Sequence, residues 1–362
     1  MSYVRVLFGI LVWGMSSCVM ASSLSEDLVE SASAAVTSPT SSQIKRVVFD
    51  IDEFICWKTE QEDIAAVKQR FPECIVIDVI MPEQKYKNLE GELIVNPEIT
   101  YPHVFGPYME CVFDYLRMKG WRTAFFSSSV AERNEPLIQS YFSQLLGADE
   151  YHKLYKQGQY RVYSKHHLSE GTLTLKVKDL HTTLSVGESI DNTILGEDDA
   201  SYAAKGQEFM IKGRYADNIF GNAVLHGHSV TYFDRQHIDQ CMVLAMNHTY
   251  FILGILDFCS EFMIQDSTLS LRGALQKTLT IALPKKGELF NRYHEFNDLQ
   301  TYIFLKRGLK IVQKKHPSAR FYIPKNERAK NDLLKVMKAA NDRDDVSSVS
   351  SLDGFDRSDR PS

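Results

Sequence analysis

Two carboxylates, Asp50 and Asp52, stand two residues apart at the end of the apolar run Val47-Val48-Phe49. Three β-forming residues that lead into acids predict a buried parallel strand that delivers the acids to the open edge of a sheet. Because alternate residues of an extended chain share a face, both carboxylates can start on the same side. One of them could then attack as a nucleophile while the other transfers protons.

Carboxylates this close together favour a bound cation, because their repulsion would otherwise raise one pKa and weaken the nucleophile. Mg²⁺ is the expected ion, since it prefers a few carboxylates together with water and phosphate oxygens. Taken alone, the stretch leaves a second interpretation open, in which an ordinary buried strand ends in a solvated Asp-x-Asp loop.

The composition places the chain among soluble globular proteins. Its 362 residues suffice for one large or two modest domains, and 44% of them are hydrophobic while 24% are charged. The net charge of -5 argues against nucleic acid as a partner of the whole chain. The six cysteines form no CxxC pair and no spacing that indicates zinc, so most are expected to be buried apolar residues.

The amino terminus has the three parts of a secretory signal peptide: a short positive region, an apolar run over residues 6–15 and small residues after it. We therefore predict a signal peptide over residues 1–21 and an exported protein, periplasmic or secreted. An uncleaved membrane anchor is the competing interpretation. Residues 22–43 are rich in Ser, Ala and Thr and predict a flexible linker.

Apolar patterning beyond Asp52 predicts alternating strands and helices, and hence an α/β protein with a parallel sheet. A small β insertion, with strands at 74–80 and 93–95, precedes the second sheet strand and is expected to pack over the acids. The other predicted elements are a helix through 109–116, a strand over 121–126, a helix over 135–146, and strands at 160–163 and 209–211.

The stretch Asp50-Ile51-Asp52-Glu53 resembles the first motif of the haloacid dehalogenase (HAD) superfamily of aspartate-nucleophile phosphatases. In layout it is most similar to the branch that dephosphorylates the polymerase C-terminal domain, the NLI-interacting-factor-like phosphatases. Ser127, Lys178 and the pair Asp198-Asp199 resemble the second, third and fourth motifs in the correct order. The resemblance covers roughly residues 44–215, and Phe54 departs from it because the family carries Thr or Val there.

The resemblance implies a role for each of these residues. Asp50 would attack phosphorus to give an aspartyl-phosphate, and Asp52 would act as general acid and base while its carbonyl touches Mg²⁺. Ser127 and Lys178 would hold the phosphoryl oxygens. Asp198 would bind Mg²⁺ directly and Asp199 through water or from a second sphere. Lys165 and Lys176 are rivals for the lysine role, and Asp191 is a rival for the metal ligand.

The implied fold is a HAD-like parallel sheet flanked by helices, over residues 44–265. No large helical cap is visible between the first and second motifs, so we expect an open site. An open site favours a phosphorylated protein carrying phosphoserine, phosphothreonine or phosphotyrosine. Small phosphoesters hydrolysed by an exported, acid-phosphatase-like enzyme are the alternative substrate class.

The carboxyl-terminal part predicts helices of two kinds. Residues 236–264 are strongly apolar but carry Asp257 and Glu261, which favours buried helices over a membrane span. The region 266–340 is basic: residues 266–330 hold fourteen Lys or Arg and five Asp or Glu. A basic amphipathic helix at 304–320 could bind an anionic membrane, so a catalytically inactive HAD-fold module is a further alternative. Residues 341–362 are expected to be disordered.

Overall fold

The computed structural model describes residues 44–87, 90–171, 176–207, 210–212, 245–281 and 298–323, with positions 327, 330, 331 and 334 in addition. The predicted signal peptide, the linker and the acidic tail lie outside the described residues. Export of the protein therefore stays a prediction.

A parallel five-stranded sheet forms the centre of the molecule, in the order β12-β11-β1-β7-β8. The predicted α/β architecture with a parallel sheet is thus confirmed. Val47, Val48 and Phe49 of the central strand are fully buried, as a strand covered on both faces requires. The strands are β1 (Ile44–Phe49), β7 (Arg122–Phe126), β8 (Tyr160–Tyr163), β11 (Glu188–Glu197) and β12 (Met210–Lys212).

Successive residues of β1 pack into different cores, because a strand alternates its side chains between two faces. Val47 and Phe49 join the large core that also contains apolar residues of the flanking helices, whereas Val48 packs with Leu180 and Leu195 on the other face. The helices before the carboxyl-terminal region are α1 (Ile64–Arg70), α2 (Glu110–Met118), α3 (Ala131–Leu146) and α4 (Ala148–Lys156). Helix α3 begins four residues before the predicted start.

A small β insertion lies between the first and second strands of the main sheet, as predicted. Its three-stranded sheet has the order β2-β6-β3, and a separate hairpin joins β4 to β5. The strands are β2 (Cys56–Lys58), β3 (Ile75–Met81), β4 (Gln84–Lys87), β5 (Leu93–Asn96) and β6 (Ile99–Phe105), and the short pair β9 (Ser169–Glu170) and β10 (Lys176–Val177) follows later in the chain. Sequence analysis missed β6, the central strand of the insertion, because Pro102 and His103 interrupt its apolar pattern.

The described part of the carboxyl-terminal region contains the helices α5 (His248–Gln265), α6 (Leu271–Leu279) and α7 (Asp298–Gln313). In the part of the chain that the structure describes, no helix combines the length and apolar character needed to cross a bilayer. Helices α5 and α7 pack together across the predicted domain boundary at residue 265. Their backbones approach closely at Gly254 and Gly308, where a β carbon would lie 2.0 Å from the carbonyl oxygen of Phe304 and 1.8 Å from that of Tyr250.

Several side chains of the basic segment 304–320 pack against the rest of the protein. Phe304, Leu305 and Val312 are buried. Arg307 forms ion pairs with Asp257 and Glu261 at 2.6 Å each. Binding of this segment to an anionic membrane stays a prediction, and it would have to use exposed basic side chains such as Lys310 rather than the buried apolar ones.

We expect Gly308→Ala to lower the free energy of unfolding by about 2 kcal/mol or more, because its β carbon would overlap the Tyr250 backbone and force α5 and α7 apart. Gly106→Ala is the matched control, since its β carbon would lie 3.5 Å from the nearest atom, in the Trp57 ring. Urea unfolding measures both variants. Equal stability of the two variants would contradict the close helix crossing.

Candidate active site

The acids predicted from the sequence lie where neighbouring parallel strands end. In the register between β1 and β11, Phe49 pairs with Gly196, so the next residues, Asp50 and Glu197, are also neighbours. The backbone N–H of Asp50 donates to the carbonyl of Gly196 at 2.8 Å and extends the pairing past the end of β1. Ser127 follows β7 on the other side of β1. One sheet edge therefore presents side chains from three adjacent strands.

Lys178 occupies the centre of this edge and is only 1% exposed. Its Nζ lies 2.7 Å from Asp50 Oδ1 and 2.7 Å from Glu197 Oε2. Burial alone would lower the pKa of Lys178, but the charges of Asp50 and Glu197 outweigh burial and raise it. The backbone also fixes Lys178, because its N–H donates to the carbonyl of Tyr202 at 2.7 Å. The lysine is thus a permanently charged link between two carboxylates.

Three carboxylates share this single ammonium group. Ligand oxygens of Asp50, Glu197 and Asp198 all lie within 4.8 Å of one another, and all three residues are buried. Burial and the charge of Asp50 raise the pKa of Asp198 and of Glu197. Both causes disfavour a further negative charge in the cluster, so a proton or a cation must offset it. With all three carboxylates ionised, this oxygen-only donor set would have a formal charge of minus two beside Lys178, which fits a hard divalent cation such as Mg²⁺.

Asp52 lies beside this cluster in a different electrostatic environment. Both Nη atoms of Arg133 contact its carboxylate, with Nη2 at 2.7 Å from Oδ2, and the Ser127 hydroxyl donates to the same oxygen at 3.0 Å. Burial alone would raise the pKa of Asp52, but the charge and hydrogen bonds of Arg133 hold it well below its usual range. A two-pronged contact of this kind fixes orientation as well as charge.

Arg133 is itself held by neighbours in the core. Its Nε and Nη2 atoms donate to Asn134 Oδ1 at 2.9 and 2.6 Å, and Nη2 lies 3.1 Å from Ser127 Oγ. His103 Nε2 lies 3.4 Å from Nη1. Burial, together with the positive charge of Arg133, lowers the pKa of His103 to about 4, so this ring is neutral at physiological pH. The guanidinium therefore has a fixed position with Asp52 as its charged partner.

Phe54, which departs from the resembling family, is fully buried beneath the acid loop. A β carbon on Gly196 would lie 2.7 Å from the Phe54 ring, so the larger side chain requires glycine at the end of β11. On its other side, the ring meets His248 edge-on with centroids 4.5 Å apart. Burial lowers the pKa of His248 to about 3 and keeps it neutral. The loop before Phe54 turns at Glu53, which has a φ of 61°.

The structure brings together five of the sequence-predicted site residues at this edge of the sheet and places their rivals elsewhere. Asp50, Lys178 and Asp198 converge, and Ser127 bonds Asp52 next to them. The rival lysines, Lys165 and Lys176, are exposed. The rival acid, Asp191, is exposed on β11, about 20 Å along the strand from the cluster at 3.3 Å per residue.

Asp199 lies beside the acid cluster but outside its buried group. It is exposed, and its carboxylate accepts the backbone N–H of Ser201 at 2.9 Å, because a short 3₁₀ turn, Ala200–Tyr202, leads the chain away from the sheet. The third buried acid next to Asp50 and Asp198 is Glu197, which sequence analysis did not single out. Binding of Mg²⁺ by Asp199 through water or from a second sphere stays a prediction.

Sequence analysis missed two site residues, Glu197 and Arg133, although each had a signal. Glu197 is the first acid after the apolar residues Ile194 and Leu195, just as Asp50 is the first acid after the apolar end of β1. Arg133 stands four residues before Leu137 and eight before Tyr141, so it continues the apolar row of helix α3. A charge on a core-facing row indicates a buried partner, which is Asp52 here.

No protein-family model matches the chain, and no curated protein matches it. Among solved structures, it is similar to fission yeast RNA polymerase II CTD phosphatase Fcp1 in an arginine-substituted form bound to beryllium fluoride, with 10% identity and a TM-score of 0.31, over 77% of this chain and 68% of that one. A second structure of Fcp1, described as an essential RNA polymerase II CTD phosphatase, gives 11% identity and a TM-score of 0.31, over 77% and 67%. Similarity this low assigns no activity.

We expect Gly196→Ala to destabilise the protein by about 2 kcal/mol, because the added methyl group would collide with the Phe54 ring. Phe54→Leu should remove much of that collision, so the double variant should lose less stability than the sum of the single losses. Urea unfolding of all three variants measures this coupling.

Phe142→Leu, which removes a buried ring in α3, is the control and should combine additively with Gly196→Ala. Additive losses for the Phe54 pair as well would contradict the packing of Phe54 on Gly196.

Proposed function

We propose that this protein is a magnesium-dependent phosphomonoester hydrolase of the HAD type, with Asp50 as its nucleophile. The observation that carries the proposal is the position of Lys178, whose buried ammonium contacts Asp50 and Glu197 at 2.7 Å each. A purely structural ion pair needs one carboxylate, whereas this lysine holds two and a third carboxylate, Asp198, lies beside them. Such an excess of buried negative charge is costly unless a cation and a substrate use it.

The residues of this edge suit attack on phosphorus. Asp50 Oδ1 accepts from Lys178 and from the backbone N–H of Ile51 at 2.8 Å, which fixes the carboxylate plane. Its oxygen attacks phosphorus, the bond to the leaving oxygen breaks, and an aspartyl-phosphate forms. Water then attacks the same phosphorus and releases phosphate and free Asp50. Lys178 and the Ser127 hydroxyl stabilise charge on the phosphoryl oxygens.

The cluster of Asp50, Glu197 and Asp198 is where Mg²⁺ would bind. When bound, the ion would neutralise negative charge on the carboxylates and on the phosphoryl group of the substrate. We assign direct binding to Asp50 and Asp198. Glu197 is held by Lys178 and positions the ammonium between the acids.

The two-pronged contact of Arg133 with Asp52 limits the phosphoesters that this site can hydrolyse. A general acid must carry a proton before it can protonate a leaving oxygen, whereas Arg133 keeps Asp52 ionised. In this arrangement Asp52 is an ionised hydrogen-bond acceptor that can orient water, and the leaving group departs with little help from a proton donor. Phenols, whose pKa is about 10 in tyrosine, are far better unassisted leaving groups than aliphatic alcohols. We therefore propose aryl phosphates, and phosphotyrosine among protein substrates, as the preferred class.

The low exposure of Asp50 agrees with a substrate whose phosphate is carried at the end of a long side chain. The residue is 6% exposed, Asp198 is 8% exposed, and Lys178 lies deeper still. A phosphotyrosine side chain is long and narrow enough to place its phosphate at such a depth. Small phosphoesters remain the alternative substrates, and an inactive module is the alternative without chemistry.

We expect the full chain to hydrolyse a phosphotyrosine peptide with Mg²⁺, to lose this activity in EDTA, and to act at least about tenfold more slowly on the matching phosphoserine peptide, since only the phenol leaves well without a proton. Asp50→Asn should abolish turnover because the amide cannot attack. Phosphate release measures activity. Borohydride reduction followed by peptide mass spectrometry should find homoserine at position 50 of the wild type, from the trapped aspartyl-phosphate.

Asp149→Asn removes an exposed carboxylate on α4 and is the matched control, which should keep full activity. Activity that survives Asp50→Asn would contradict the assignment of the nucleophile. A folded protein inactive on every phosphoester with Mg²⁺ would favour the inactive module, and equal rates on the two peptides would reject the aryl preference alone.

A further inference from the structure

A second group of metal-binding side chains lies outside the acid cluster, where α2 begins and α7 has just ended. Glu110 and Cys111 are the first two residues of α2. His316 follows the end of α7 by three residues, and its backbone N–H donates to Val312 at 2.8 Å, so the turn holds the ring in place. The three residues offer a carboxylate, a thiol and an imidazole, which together form the donor set that zinc prefers.

The donor atoms converge on one point. His316 Nε2 lies 3.0 Å from Glu110 Oε1, and Cys111 Sγ lies 3.9 Å from the same oxygen; all three donor atoms fall within 4.8 Å of one another. In a tetrahedral zinc site, with Zn–N and Zn–O near 2.0 Å and Zn–S near 2.3 Å, nitrogen and oxygen ligands stand about 3.3 Å apart, and sulfur and oxygen about 3.5 Å. The observed separations need only small shifts to match.

The contact between His316 and Glu110 is close without being a hydrogen bond. Nε2 is buried and has no hydrogen-bond partner, although Oε1 stands 3.0 Å away. A ring nitrogen and a carboxylate oxygen that approach so closely, out of line for a shared proton, are arranged as two ligands of one cation. The cation would satisfy the buried nitrogen and the carboxylate together.

The neighbouring residues that the structure describes leave the ligand atoms of Glu110, Cys111 and His316 available for a metal ion. The nearest lysine in sequence, Lys315, pairs with Asp114 at 2.9 Å rather than with Glu110. The Tyr108 ring packs against the His316 ring with centroids 4.9 Å apart and restrains its orientation. Cys111 is 6% exposed, whereas the side chains of His316 and Glu110 are 31% and 16% exposed, so water can reach one side of the group.

We propose that Glu110, Cys111 and His316 bind a zinc ion that clamps the end of α7 to the beginning of α2. His316 binds through neutral Nε2, Glu110 through its carboxylate and Cys111 as a thiolate, whose proton passes to solvent. Water fills the fourth position on the exposed side. The site joins residues some 200 positions apart and links the carboxyl-terminal helices to the helix that follows the β insertion. It is independent of the proposed phosphatase activity.

Cobalt is the probe that distinguishes this site from the acid cluster, because only a thiolate gives an intense near-ultraviolet charge-transfer band with Co²⁺. The full chain, stripped with EDTA and titrated with Co²⁺, should develop this band, and Zn²⁺ should bleach it. Cys111→Ser should lose the band, and His316→Gln should weaken Co²⁺ binding at least about tenfold. Zn²⁺ should raise the Tm of the wild type by roughly 5 °C and leave the Tm of Cys111→Ser unchanged.

Cys259→Ser removes a different buried thiol, on α5, and is the matched control that should keep the band. The wild-type spectrum requires no variant, so a variant that fails to fold leaves the test intact. Absence of the band in the wild type would overturn the proposal. Persistence of the band in Cys111→Ser, or its loss in Cys259→Ser as well, would also overturn it, because another thiol would then be the ligand.

Discussion

One ammonium group among three carboxylates governs the edge of the sheet. Lys178 contacts Asp50 and Glu197 equally closely, and Asp198 adds a third carboxylate within coordinating distance. Burial makes this imbalance costly, because neither water nor counter-ions screen the charges well there. The parallel register of β1 and β11 nevertheless forces the acids together, since it places residues 50 and 197 side by side. A divalent cation is the simplest group that offsets the remaining charge.

Asp52 lies in an electrostatic environment opposite to that of Asp50, although it is only two residues further along the chain. Asp52 faces the buried guanidinium of Arg133, and the two form a neutral pair beside the negative cluster. The Ser127 hydroxyl donates a hydrogen bond to Asp52 and lies against Arg133. Ser127 therefore lies between this ion pair and the sheet edge at which we propose that phosphate binds. The chain thus separates two carboxylates into the proposed nucleophile, which contacts a lysine, and an ionised acceptor, which contacts an arginine. This difference is the physical basis for the proposed preference for good leaving groups.

The sequence was sufficient where the determining pattern is local. Apolar runs that end in polar residues predicted the strands that carry Asp50 and Ser127, and parallel strands end at one edge wherever they lie in the chain. The sequence was insufficient where the residue that a side chain contacts lies far away in the chain. The pattern of α3 places Arg133 on the core-facing row, but only the fold shows that its partner is Asp52. Phe54, the departure from the resembling family, is accommodated by Gly196 and His248, which are far away in the chain. The pairing of Cys111 with His316 follows no short spacing motif, so cysteine counting could not reveal it.

Anomalous diffraction from Mn²⁺-soaked crystals of the full chain tests the charge imbalance most directly, because Mn²⁺ replaces Mg²⁺ in oxygen-ligand sites and can be located by its own scattering. We expect an anomalous Mn²⁺ peak at roughly 2.2 Å from carboxylate oxygens of both Asp50 and Asp198. Lys178 should remain in contact with Asp50. The peak should vanish in Asp198→Asn. A well-ordered cluster with no peak, or a peak unaffected by that substitution, would contradict the central claim that these carboxylates form a cation site.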